Sequence, residues 1–189
     1  MLLLIAGLVL FLGIHSVGIV AEPWRNAMAA KNEAAWKISY TAISLLGFAL
    51  LCYGYGQARM DPIWLWAPPP IMKAISAVLL LPVFILFLAS FLRGKISTAT
   101  KHPQLLAVKI WATAHLLANG TLADVLLFGG FLAWAVAQRI SLKRRTPRAT
   151  PGMAPSMAGD IGAVVGGLGA YVLFVVWAHE FLIGIRPFG

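Results

Sequence analysis

Four histidines carry most of the chemistry available to this chain, and three of them lie in apolar sequence. His15 stands in "LGIHSVGIVAEPWR", His115 in "KHPQLLAVKIWATAHLLANGTLADVLLF" and His179 in "VVWAHEFLIGIRPF", while His102 directly precedes Pro103. A neutral imidazole ligates metals, relays protons or hydrogen-bonds, so its surroundings decide its role. Inside a membrane-spanning segment, an ionisable residue is first of all a functional-site hypothesis.

The residues around His115 sharpen that hypothesis. Gln104, Val108, Ala112, His115 and Asn119 recur at spacings that share one helical face. Ala112 is small and stands about one turn before the histidine, so a flat macrocycle has room there while the imidazole reaches its metal. The plainer alternative is a hydrogen bond to a neighbouring helix. His15 has a similar setting, with Gly7, Phe11, Gly18 and Glu22 on its face, and its plain alternative is a buried ring bonded to a backbone carbonyl. Two neutral nitrogens with no thiolate or carboxylate cluster suit haem iron better than structural zinc, which takes four closely spaced ligands. Cys52 is the single cysteine, so neither an intrachain disulfide nor a cysteine-rich metal site is available.

The other two histidines read differently. Pro103 fits the first position of a helix, where its missing N–H costs nothing, so His102-Pro103 marks a helix start at the headgroup level. His179-Glu180 lies near the opposite boundary, where the carboxylate pairs with headgroups or with Arg186. Gly162, Gly166 and Gly169 in the same segment form a small-residue stripe, which means close helix packing.

The elements that must position these residues follow from composition. Hydrophobic residues make up 60% of the 189 and charged residues 11%, too little polar surface to coat a soluble globule. The expected fold is all-α, a polytopic membrane bundle of six helices. Their approximate spans are Leu2 to Ala21, Ile38 to Tyr55, Pro70 to Leu92, Pro103 to Ala118, Leu122 to Gln138 and Ile161 to Ile185. The fourth and fifth are short, and the turn-forming Asn119-Gly120 joins them as a tight hairpin that spans fully or stops partway. The first run lacks a preceding basic residue and exceeds the apolar core of a signal peptide, so it is expected to stay as a helix. One domain over residues 1–189 is expected, with no internal repeat. Ser141 to Gly159, rich in Pro, Gly and small residues, reads as a mobile cytoplasmic loop.

Basic residues orient such a bundle. Arg25, Lys31, Lys37, Arg93, Lys95, Lys101, Arg139, Lys143, Arg144, Arg145 and Arg148 follow helices one, three and five. Arg59, Lys73 and Arg186 fall on the other side, and Lys109 lies inside helix four, from where its long stem can snorkel toward the cytoplasm. Both termini are therefore expected on the non-cytoplasmic face. The formal charge of +9 is accounted for by orientation and by anionic lipid, with no nucleic-acid partner. Trp24 and Trp36 mark the inner boundary, and Trp64 and Trp66 in "DPIWLWAPPP" the outer one.

"GIHSVGIVAEPWR", "KHPQLLAVKIWATAHLLANGTLADVLLFGG" and the six-helix layout resemble the NnrU family of bacterial membrane proteins, which also takes in the plant and cyanobacterial zeta-carotene isomerases. The likeness covers nearly the whole chain. It implies a bacterial inner-membrane protein. In the isomerase branch it implies a haem-containing bundle, with b-type haem falling on His15 and His115 here and His179 as the reserve ligand. Asn119 and Ala112 then line the cofactor. The isomerase pattern has a cysteine where this chain has Ala112. A redox-linked isomerase acting on a hydrophobic or lipidic small molecule, and a factor in nitrite and nitric oxide reduction, are the functions the resemblance implies. A second resemblance reaches the isoprenylcysteine-type membrane methyltransferases through Lys101, His102, Pro103 and Glu180, which implies S-adenosylmethionine and a small or lipidic substrate. A non-catalytic assembly or regulatory protein is the third reading, and the sequence leaves open whether the chain is an enzyme, as well as its oligomeric state.

Overall fold

Turn chemistry and apolar runs divide the described residues into eight helices. The computed structural model describes residues 1–145 and 154–187, and among these no strand occurs. Five helices are long and apolar enough to cross a bilayer: α1 (Leu2–Val20), α3 (Glu33–Ala58), α4 (Ile71–Ala89), α7 (Leu122–Arg144) and α8 (Met157–Ile183). Between them lie α2 (Glu22–Lys31), α5 (Lys95–Thr100) and α6 (Pro103–Ala118). The expected sixth span is thus the 16-residue α6. At about 1.5 Å per residue it rises about 24 Å, short of a hydrocarbon core of about 30 Å.

Side chains set where the helices start. Asn32 accepts the Ala35 N–H at 2.9 Å, and Ser156 accepts the Gly159 N–H at 3.0 Å, each satisfying an orphan amide of the first turn. Thr121 does the same for Asp124. Pro23 and Pro103 occupy first-turn positions of α2 and α6. Two of the long helices contain a π-helical turn, Val125–Gly129 in α7 and Phe174–Ala178 in α8. Such turns recur at functional sites because they re-aim the side chains that follow.

The chain divides into two compact units, each discontinuous: residues 1–65 with 121–145, and 66–120 with 146–189. In the first, α1 and α3 pack antiparallel at contact distance. Gly7 faces the backbone of Leu50 and Leu51, Gly54 faces Leu3 and Leu4, and a Cβ on Gly47 would stand 2.7 Å from Phe11 N. Those three contacts fix the register and place Ser44 opposite Ile14 and His15. Helix α7 covers the other side of α1, with Gly130 near Leu8 and Leu12 and Phe131 beside Phe11.

In the second unit α6 and α8 each pack antiparallel to α4. Ser76 donates to the Ala114 carbonyl at 2.7 Å, and Tyr171 to the Ala77 carbonyl at 2.9 Å. Gly167 lets α8 close on Ile85, since a Cβ there would meet the Ile85 backbone at 2.6 Å. Asp160 accepts the Lys95 and Ile96 amides at 2.8 and 3.0 Å and so ties the start of α8 to α5.

Three expectations change. The residues after the first span form the helix α2 rather than an open loop. The stretch read as a loop over Ser141 to Gly159 is helical at both edges, as the end of α7 and the start of α8, while residues 146–153 and with them Arg148 lie outside the described residues. The α6–α7 pair, joined through Asn119 and Gly120, does not build one unit: α6 belongs with α4, and α7 with α1.

Candidate functional site

His15 sits two-thirds of the way along α1, in an aromatic surround supplied by all three long helices of the first unit. Its Nδ1 lies 2.6 Å from the Phe11 carbonyl. A carbonyl only accepts, so Nδ1 carries the proton and the neutral ring keeps its lone pair at Nε2. Phe11 lies 4.3 Å from the imidazole, Tyr40 of α3 5.1 Å, and Trp134 of α7 6.0 Å edge-on. Two donors in this neighbourhood, Trp134 Nε1 and Ser44 Oγ, are buried and hydrogen-bond to nothing.

A second polar cluster in the same unit is fully paired. Asp124 is 4% exposed. Its carboxylate accepts from Tyr55 Oη at 2.6 Å, Thr121 Oγ1 at 2.6 Å and the Thr121 N–H at 2.9 Å. The aspartate thereby joins α3 to the first turn of α7. Leu122 donates to the Ile63 carbonyl at 2.8 Å, which ties the segment before α4 to the same turn.

His115 belongs to the second unit and repeats the arrangement of His15. Its Nδ1 lies 2.8 Å from the Trp111 carbonyl, so the same tautomer follows. Asn119 does not present its amide outward, because Nδ2 donates to the His115 carbonyl at 2.8 Å and closes the end of α6. Ala112 has no exposed surface, so its methyl packs against protein and offers no open platform. Gln104 is exposed, and Lys109 is half-buried.

His179 follows the π turn of α8 and faces Phe174 at 5.7 Å. Its Nδ1 donates to the Ile185 carbonyl at 2.7 Å, while Gly184, at φ 76°, donates its N–H to the Glu180 carbonyl at 2.8 Å. Together they close the C-terminal end of α8. Arg186 donates to Glu180 at 2.7 Å, and that bond holds the guanidinium above its ordinary value.

Lys101 and His102 stand at the start of α6, with Lys101 at a positive φ of 61°. Ala114 and Tyr171 share one level of α4, and α6 and α8 run the same way from there. His102 and Glu180 therefore lie at opposite ends of the second unit, about 30 Å apart along the axis by the helical rise. The structure does not bring these two together.

A family model described as "NnrU protein" matches residues 3–187. The chain belongs to the NnrU family. The match spans both units, so His15, His102, His115 and His179 all fall within NnrU sequence. No curated protein and no solved structure matches this NnrU chain. With five bilayer-length apolar helices, it is an integral membrane protein. Sequence patterns pick out the intramembrane histidines of NnrU here, but Tyr40, Ser44, Tyr55, Asp124 and Trp134 need the α1–α3 and α1–α7 packing to be seen as partners. Asp124 alone carried a signal, as a lone acid beside Thr121 in apolar sequence.

Proposed function

We propose that this NnrU protein binds b-type haem in the bacterial inner membrane, with His15 and His115 as the residues that hold the iron. One observation supports the reading. Each imidazole donates Nδ1–H to the carbonyl one turn earlier, at 2.6 Å in His15 and 2.8 Å in His115. That bond fixes the tautomer, orients the ring and makes Nε2 more basic, which is how metal-ligating histidines are held. Among the described residues no group of three His, Cys, Asp or Glu assembles, and imidazole nitrogens are ligands that haem iron takes. Ala112 gives no support as a platform, and Asn119 serves the end of α6. Bound haem supplies one-electron chemistry, while the chain's own part is to present the imidazoles, His15 among Phe11, Tyr40 and Trp134 in the first unit and His115 beside Trp111 in the second.

Absorption spectroscopy of the purified protein tests this. A Soret band is expected in the unmodified protein, its loss or a large shift in His115→Ala, a five-coordinate spectrum in His15→Ala, and no change in His102→Ala. His179→Ala is expected to keep the band as well, because that ring closes the end of α8. An unmodified protein without a Soret band, or an unaltered band in His115→Ala, overturns the assignment.

A further inference from the structure

The basic end of the second unit holds a cavity of about 320 Å³ between α5 and the start of α8, lined by Lys95, Thr98, Ala99, Pro155, Ser156 and Met157. Hydrogen bonds fix its two walls. The Ser156 N–H donates to the Arg93 carbonyl at 3.0 Å, and Asp160 accepts the Lys95 and Ile96 amides, so α5 and the start of α8 keep their spacing. Both α4 and α8 are of bilayer length, and α4 ends where α8 begins, which puts the cavity at the boundary between hydrocarbon and water.

The donors on the walls decide what the cavity takes. The Thr98 hydroxyl donates to the Gly94 carbonyl at 3.0 Å and is spent within α5. Ser156 Oγ accepts the Gly159 N–H at 3.0 Å and keeps its own proton to give. The Lys95 ammonium has no ion-pair partner among the described residues. Asp160, the acid that joins these helices, is absent from the lining and has both oxygens on backbone amides. Ala99, Pro155 and Met157 make the rest of the wall apolar.

We propose that this cavity binds the phosphate diester of an anionic phospholipid, with Lys95 Nζ and Ser156 O–H toward the phosphate and Ala99, Pro155 and Met157 against the glycerol and first chain carbons. An ammonium and a hydroxyl both donate, so the ligand's polar end is an anion that accepts. A free phosphate would leave most of its oxygens against apolar side chains. A diester on a lipid tail has one polar and one apolar end, which match the two kinds of wall. Arg93 and Lys101 flank α5, so a headgroup that ends in an ammonium is disfavoured and one with net negative charge is preferred. The inference does not rest on haem binding, since no histidine takes part in it.

Native mass spectrometry of the full chain released from detergent micelles tests this, with dioleoyl-phosphatidylglycerol as probe and dioleoyl-phosphatidylcholine as its zwitterionic counterpart. Saturable binding of one phosphatidylglycerol is expected, about fivefold tighter than that of phosphatidylcholine. Lys95→Gln is expected to lower the affinity about fivefold, the share of one lysine at a membrane surface. Ala99→Trp fills the cavity without changing charge and should lower it at least as much. Lys143→Gln, which removes an exposed lysine at the end of α7 in the first unit, should leave it unchanged. Both Lys95 and Ala99 are exposed, so these variants spare the core. Equal binding of the two lipids, equal losses in Lys95→Gln and Lys143→Gln, or an unaffected Ala99→Trp each overturns the proposal. Displacement of the lipid by equimolar inorganic phosphate does so too, because the free anion would then be the ligand. The Soret band recorded on the same samples reports the haem reading separately, so either can fail alone.

Discussion

Asp124 and the histidines show two ways in which a polar side chain is accommodated in apolar sequence. The aspartate is satisfied inside the protein by Tyr55 and Thr121, with three bonds between 2.6 and 2.9 Å. Its removal therefore leaves three donors buried without an acceptor. Asp124→Ala is expected to destabilise the protein by about 3 kcal/mol, and Tyr55→Phe by about 1 kcal/mol because only one bond is lost while the carboxylate keeps the other two. Equilibrium unfolding in detergent measures both, and equal losses would show that the pair does not work as described. His15 and His115 each donate Nδ1–H to the carbonyl one turn earlier, and that shared arrangement is what makes them worth testing as ligands. Their unusual position was legible in the sequence because a histidine among leucines is costly and so conspicuous. Ser44 and Trp134 were not legible, because a serine or tryptophan in a membrane helix is ordinary until the facing helix shows that its donor is unmatched.

Helix packing in the first unit depends on glycines at backbone contact, whereas others in the same helix have nothing near them. Gly7 faces the Leu51 backbone, but a Cβ at Gly13 would have open space. Both changes to alanine improve helix propensity, so the difference between them isolates the contact. Gly7→Ala is expected to cost about 1–3 kcal/mol by forcing α1 and α3 apart, and Gly13→Ala to be neutral or stabilising by up to about 1 kcal/mol. Thermal melts of the two variants decide it, and matching curves would remove the glycines as the source of the register. At this scale the long helices were readable from their apolar runs to within a few residues. Helix α2 was not, since "EPWRNAMAAK" has no apolar stripe, and the clues lay in Pro23 and in the Asn32 cap that follows. The π turns have no sequence signature, because they arise where packing forces one extra residue into a turn.

Orientation belongs to the whole molecule, and the two units supply it independently. In the first, Arg25 and Lys31 lie in α2 and Lys37 near the start of α3, and Arg139, Lys143, Arg144 and Arg145 gather at the end of α7. Arg145 donates to the Gly18 carbonyl at 2.7 Å, which places the end of α7 at the end of α1. In the second, Arg93, Lys95 and Lys101 gather where α4 gives way to α6, the end at which Asp160 fastens α8. The opposite ends hold Arg59 in one unit and Lys73 and Arg186 in the other, so each unit has a basic end that should face the cytoplasm. The remaining question is α6, whose length falls short of the hydrocarbon core. Flanking anchors and local thinning of the bilayer can absorb such a mismatch. If α6 crosses, the chain passes the membrane six times and both termini lie outside the cytoplasm. Reporter fusions are expected to show a fluorescent protein silent after Gly189 and bright when inserted after Arg145, with an export-dependent phosphatase giving the reverse pattern. With a fusion before Met1 still silent, the opposite pattern at both positions would mean that α6 fails to cross, because α8 alone separates them, and a bright fusion before Met1 would invert the basic ends.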